Sequence, residues 1–301
     1  MKTITRFIGI GALAATAIAT VTPAALAQFG LTAADSQKFA AHDPASGRAI
    51  DFKVVDSVLE AFILDQKSTT IVRYGVIKGE GQKLIEEIVT GFERIDISQF
   101  NRDQQLSYWL NLRLLMVLHA TSSAYPSANP KSLLASNSVF LNTPLVTVQG
   151  VDLTIADVDK IILDNWADNP NVIFGLVVPA KGSPAFPRAA FKGVSVNQTL
   201  EAQARQFINR SGIVKPSRSK VRVSSFLQWH KAHLGGDDQA VLQHVNRLAG
   251  PKLAKKLPET AALEDRFDWK LNVFKERSFS ENSGFGFSPG SRSSGGFGGG
   301  S

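Results

Sequence analysis

Residues 101–119 read NRDQQLSYWLNLRLLMVLH. Asn101 followed by Gln104 is an acceptable helix-capping pair, and Leu106 to His119 is apolar on nearly every side. A helix without a polar face has nothing to offer water, so this one is predicted to lie at the centre, packed against several neighbours. Asn111 and Arg113 interrupt the run. A buried Asn must be hydrogen-bonded and a buried Arg must be paired, so both are expected to meet partners from elsewhere in the chain. Tyr125-Pro126 and Asn129-Pro130 end the helix.

Before it, Phe52 to Leu64 spaces Val54, Val55, Val58, Leu59, Phe62 and Ile63 at helical intervals. Gly79 and Gly81 are expected to break the chain ahead of a second helix, about Lys83 to Ile95, with an apolar stripe of Leu84, Ile85, Ile88, Val89 and Phe92. After it, Val139 to Leu141 reads as β, and Leu145 to Val148 and Val151 to Leu153 read as a hairpin across Gln149-Gly150. Thr154 with Asp157 predicts a capped helix, Ile155 to Trp166. Val172 to Val178 is short, apolar and β-branched, the pattern of a buried strand. Further helices are expected over Leu200 to Asn209, Ser224 to Ala232 and Asp237 to Ala249. Short strands are expected at Val221 to Val223 and Phe267 to Asn272. The fold class is therefore α+β, with a helical N-terminal half packed on a small, mostly antiparallel sheet.

The ends have a different character. Lys2 and Arg6, an apolar stretch from Phe7 to Val21, and Ala25-Leu26-Ala27 make residues 1–27 read as a secretory signal with a small-x-small cleavage site. Thr, Gly and Pro23 interrupt the stretch, so no membrane span is expected after cleavage. Removal leaves 301 − 27 = 274 residues with a formal charge of +7 − 2 = +5. The expected location is the periplasm or the exterior of a bacterial cell. Residues 28–50 read as an irregular segment and 51–277 as one globular domain. Residues 278–301, built of Gly, Ser and Phe, read as a disordered tail. The chain has no cysteine, so packing alone must hold an exported protein together. Lys215, Arg218, Lys220 and Arg222 form the densest basic cluster. It has the charge for phosphates, lipid head groups or polyanionic wall polymers, but lacks aromatic interleaving, so it reads as a solvated loop with no nucleic-acid partner.

In this order the segments resemble the bacterial and plant family known as domain of unknown function 547. The resemblance rests on Tyr108-Trp109-Leu110-Asn111, Tyr125-Pro126, the hairpin, Leu153 to Asp159, Phe174 to Pro184, Leu200-Glu201-x-Gln203, Ser225-Phe226-x-x-Trp229 and Phe267-Asp268-Trp269-x-Leu271-Asn272, spanning roughly residues 50–273. It implies a papain/transglutaminase-like cleft in which a Cys and a His act as thiolate and base. This chain departs from the pattern at those positions. Arg113-Leu114 replaces a Tyr-Asn pair, Asp159-Lys160 replaces an acid followed by His, and Val178 and Ser183 replace two cysteines.

The resemblance thus implies a pseudoenzyme: a non-catalytic domain that binds a cell-envelope ligand or partner protein, with Trp109, Asn111 and Arg113 as candidate binding residues. The alternative is a serine acyl hydrolase or transferase using Ser183 with Lys160 as base and Asp159 beside it. That carboxylate would favour charged Lys160 and spoil it as a base. A third reading is a structural envelope protein whose Gly/Phe tail carries the interaction. His230 and His233, at i and i+3, lack a third ligand for zinc and read as packing. No metal and no cofactor is expected, since phosphate-loop and dinucleotide patterns are absent.

Overall fold

The computed structural model describes residues 31–275, Arg218 excepted. Residues 1–27, expected to be a secretory signal, and residues 278–301, expected to be a tail, lie outside the described residues. Its element order begins with α1 (Ala33–Ala40), α2 (Lys53–Phe62), the hairpin β1 (Ile63–Gln66) and β2 (Thr69–Val72), and α3 (Gln82–Glu93). Then come α4 (Arg102–Ala124), the hairpin β3 (Val146–Val148) and β4 (Val151–Leu153), and α5 (Ile155–Asn165). The C-terminal part holds α6 (Val196–Asn209), β5 (Lys215–Pro216), β6 (Lys220–Ser224), α7 (Ser225–Trp229), α8 (Asp238–Leu248) and β7 (Ala262–Arg266).

The helix α4 is the axis of the molecule. Every residue from Gln104 to Leu118 is buried, as its unbroken apolar surface requires. Its N-cap forms as read from the sequence, Asn101 Oδ1 accepting from Gln104 N at 3.1 Å. The buried polar groups on α4 each tie down a length of irregular chain. Gln105 Nε2 donates to the carbonyls of Ala41 (2.7 Å) and Ile97 (2.8 Å), and Gln104 Oε1 accepts from Ile50 N (3.2 Å). The capping box of α5 is also present, Thr154 and Asp157 exchanging side-chain-to-backbone bonds at 3.1 and 3.0 Å.

The α+β class holds, with three small sheets in place of one. β1–β2, β3–β4 and β5–β6 pair antiparallel, and β7 adds to β6 in parallel. This arrangement does not by itself show a papain/transglutaminase-like cleft.

Several local expectations are corrected. Residues 33–40 are helical, held by a second capping box at Thr32 and Asp35, with Phe39 buried edge-on against Trp109 at 5.2 Å. The β1–β2 hairpin carries no turn signal in the sequence, since its turn, Lys67-Ser68, has no Gly or Asn; Lys67 itself takes φ 54°. The chain does not break at Gly79 and Gly81. Helical turns over Tyr74–Val76 and a π-turn over Ile77–Gly81 run straight into α3. Gly81 lies so close under the Phe62 ring that a Cβ would stand 2.7 Å from it, so the glycine serves approach, not interruption. Val139–Asn142 is a helical turn capped by Ser138. Of the basic cluster, Lys215, Lys220 and Arg222 lie on the strands β5 and β6, and Arg218 lies outside the described residues.

Val172–Gly175 is a 3-10 turn, and the chain beyond it is buried without belonging to a sheet. Buried backbone groups need partners, and here side chains supply them. Val177 O accepts from Arg113 Nη1 at 2.6 Å, and Val178 N donates to Ser183 Oγ at 2.9 Å. Likewise Phe267–Asn272 is not a strand. Its carbonyls at Asp268 and Lys270 accept from Gly182 N (2.9 Å) and Lys181 N (2.8 Å), and Asn272 O accepts from Val72 N (2.8 Å).

Gly175 faces Leu110, where a Cβ would stand 2.6 Å from Cδ2, and Leu200 at 3.1 Å. Gly175→Ala is expected to destabilise the protein by about 1–3 kcal/mol through overpacking, read as a lower denaturant midpoint at unchanged slope.

Candidate functional site

Arg113 projects from α4 and is 2 % exposed. Its Nε and Nη2 engage both carboxylate oxygens of Asp159 on α5, the latter at 3.1 Å, while Nη1 binds Val177 O. This two-pronged pair is the strong geometry for Arg and carboxylate, and it satisfies the pairing that burial demands. The pair forms one wall of a cavity of about 340 Å³, which Leu176, Val178, Phe140, Phe226, Trp229, His230 and Trp269 also line. Two of the four positions singled out by the family resemblance, 159 and 178, thus meet at one cavity.

The other two go elsewhere. Lys160 turns to the helix exterior and bridges to Asp164 one turn on, at 2.5 Å. Ser183 is 1 % exposed and does not line the cavity. Its Oγ accepts from Val178 N, its N donates to Ala180 O at 3.2 Å, and its carbonyl accepts from Arg210 Nη2 at 2.7 Å. Among the described residues neither Lys160 nor any imidazole or carboxylate bonds the Ser183 hydroxyl. A general base must reach the proton it takes.

Trp109 and Asn111 also lie away from the cavity. Trp109 is fully buried between Phe39 and Tyr108, its indole N–H without a hydrogen-bond partner. Asn111 clamps the backbone of Phe191: Nδ2 donates to its carbonyl at 2.8 Å and Oδ1 accepts from its N–H at 2.9 Å. Of the candidate binding residues, the cavity receives Arg113.

It also receives an imidazole. His230 follows α7, half-buried, with its ring 4.8 Å from that of Phe226. Burial, then the charges of Arg113 and His233, push its pKa down to about 3, so it is neutral at ordinary pH. His233 points away, its Nε2 3.2 Å from Leu163 O. The described residues hold no group of three or more His, Asp or Glu that could hold a metal ion. The two histidines share no helix face: α7 ends at Trp229 and His233 lies in the 3-10 turn Lys231–Leu234 that follows, so the rings meet different neighbours. The rim is aromatic. Trp229 is 46 % and Trp269 37 % exposed, their rings 5.7 Å apart, with Phe267 4.5 Å from Trp229. The site can enclose a small ligand between flat rings and a neutralised ion pair. Among the described residues that line it there is no Ser, Thr, Cys or Lys.

His244, on α8, is stacked on Phe174 (ring planes 9° apart) with Nε2 unpartnered, and burial followed by the Arg247 charge lowers its pKa to about 4. An unfolded histidine binds its proton near 6.5, so the stability tied to neutral His244 is complete above that pH and is lost as pH falls toward 4. His244→Leu is expected to flatten the acid side of the stability profile by roughly 1 kcal/mol per pH unit between those limits, read from denaturant midpoints at several pH values.

A family model described as "Protein of unknown function, DUF547" matches residues 97–208. That covers α4, the β3–β4 hairpin, α5, the Val178–Ser183 turn and most of α6. It is narrower than the stretch over which the sequence motifs resemble the family, and leaves Trp229, His230 and Trp269 outside. No curated protein and no solved structure gives a significant match to the chain. No helix among the described residues is long and apolar enough to cross a membrane.

Proposed function

From residues 97–208 as a divergent, cysteine-free DUF547 segment, we propose that this protein binds a ligand in the Arg113–Asp159 cavity and does not turn it over. The observation that carries the reading is Val178: an apolar side chain lines the cavity at the position where the family resemblance calls for a thiol. Among the described residues that line the cavity, the one carboxylate, Asp159, is committed to Arg113, and the one imidazole, His230, has no Ser, Thr or Cys beside it. A mostly apolar cavity with a few convergent polar groups is what ligand sites require.

The ligand class follows from the rim. Two half-exposed tryptophans offer broad faces with polar edges, which suits the flat face of an uncharged sugar ring in a cell-envelope glycan. Tryptophan fluorescence gives the test, because Trp109 and Trp166 are buried and the signal change reports Trp229 and Trp269. Titration with N-acetylglucosamine oligomers and soluble peptidoglycan fragments is expected to saturate, and Trp229→Ala or Trp269→Ala to weaken binding about tenfold or more. Unchanged affinity in both variants sinks the proposal. The competing reading is acyl transfer by Ser183 with Lys160. A serine-reactive fluorophosphonate probe is expected to leave the protein unlabelled; labelling that Ser183→Ala abolishes establishes the competing reading instead.

The site of action proposed is the cell envelope. Lys2 and Arg6, the apolar stretch and Ala25-Leu26-Ala27 support export with cleavage after Ala27. N-terminal sequencing of protein recovered from outside the bacterial cytoplasm is expected to begin at Gln28; a cytoplasmic protein retaining Met1 or Lys2 overturns it.

A further inference from the structure

A second cavity, of about 290 Å³, opens on the other side of the Phe267–Lys270 segment. Six cationic residues line it, Lys181, Arg210, Lys215, Arg222, Arg266 and Lys270, against the single acidic residue Asp268, a formal difference of +6 − 1 = +5 among the lining residues. Among the described residues none of the six forms an ion pair.

The fold assembles this charge at a cost. The antiparallel register sets Lys215 directly opposite Arg222, and the parallel register sets Arg266 beside Ser224. Like charges facing each other across a ladder are destabilising. The carboxylate in register with Arg222, Glu264, is taken by Lys220. At the inner end stands Arg210, 8 % exposed, at the C-cap of α6. Its guanidinium donates to Thr69 Oγ1 (2.9 Å), Lys181 O (2.9 Å) and Ser183 O (2.7 Å), all uncharged acceptors. Burial lowers its pKa to about 10, Asp268 partly opposing, so it stays charged near neutrality. The floor is rigid: Ser224 Oγ donates to Gly182 O at 2.9 Å, and a Cβ on Gly182 would stand 2.6 Å from the Phe267 ring and 2.8 Å from Asp268 N.

We propose that this cavity, between the β5–β6–β7 sheet and the end of α6, is a binding site for a phosphate group, free or as the end of a small phosphomonoester. Arginine forks match phosphate oxygens in pairs, and an anion there relieves the repulsion between Lys215 and Arg222. The walls admit an ester substituent beside the phosphate, since the volume exceeds that of the ion. The site is separate from the Arg113–Asp159 cavity and does not depend on what fills it.

Calorimetric titration of the protein with inorganic phosphate and, separately, with glycerol 1-phosphate tests this, both against chloride at matched ionic strength. Saturable binding of either ligand is expected, and tighter binding of glycerol 1-phosphate assigns the ester. The exposed double variant Arg222→Gln/Arg266→Gln is expected to lose affinity by about tenfold or more, while Lys252→Gln/Lys256→Gln, equal in charge change but outside the cavity, keeps it. Absence of saturable binding of both ligands overturns the proposal, as does an equal loss in the two double variants, which would mark generic charge attraction.

Discussion

The bidentate pair between Arg113 and Asp159 is the constraint on which the site depends. It joins the centre of α4 to the first turns of α5, and its third contact, to Val177 O, holds the irregular chain that leads to Val178. Taking one partner away from such a buried pair costs about 3 kcal/mol or more. The same contacts close the acid to any role as a base. One interaction therefore secures the fold around the cavity and commits its carboxylate to the guanidinium.

Around that pair, side chains do what a sheet would do elsewhere. Asn111 pairs with both backbone groups of Phe191, Gln105 holds Ala41 and Ile97, Ser183 takes the N–H of Val178, and Arg210 takes the carbonyls of Lys181 and Ser183. Buried loops survive only when their polar groups are matched in this way. The position of the Ser183 hydroxyl follows from this role. It is an acceptor inside the turn, where it shapes the chain that carries Val178 past the cavity.

The Phe267–Lys270 segment separates two cavities of opposite character. Trp269 lines the aromatic one, Asp268 and Lys270 line the basic one, and Phe267 lines the basic one while its ring packs on Trp229 and Trp269. The Lys181-Gly182 turn is bonded to the same segment through Asp268 O and Lys270 O, and Arg210 holds that turn from behind. Two cavities of different chemistry thus share one backbone wall, with Trp269 on one and the cations on the other.

Much of the helical framework was legible in the chain. The apolar circumference of α4, the Asn101 and Thr154 caps, and the need of Asn111 and Arg113 for buried partners are local matters, decided by residue type and by spacing within one turn. The absence of a thiol nucleophile was equally plain, because no cysteine exists to supply one. Tertiary structure decided the identity of each partner: Asp159 for Arg113, Phe191 for Asn111, Val178 N for Ser183. It also decided that Val172 to Val178 folds outside any sheet, since apolar runs look alike whether a ladder or a distant side chain satisfies their backbone. The convergence of His230, Trp229 and Trp269 with Val178, and of six cations around Arg210, joins residues far apart in sequence, and no periodicity within a segment encodes which segments will meet.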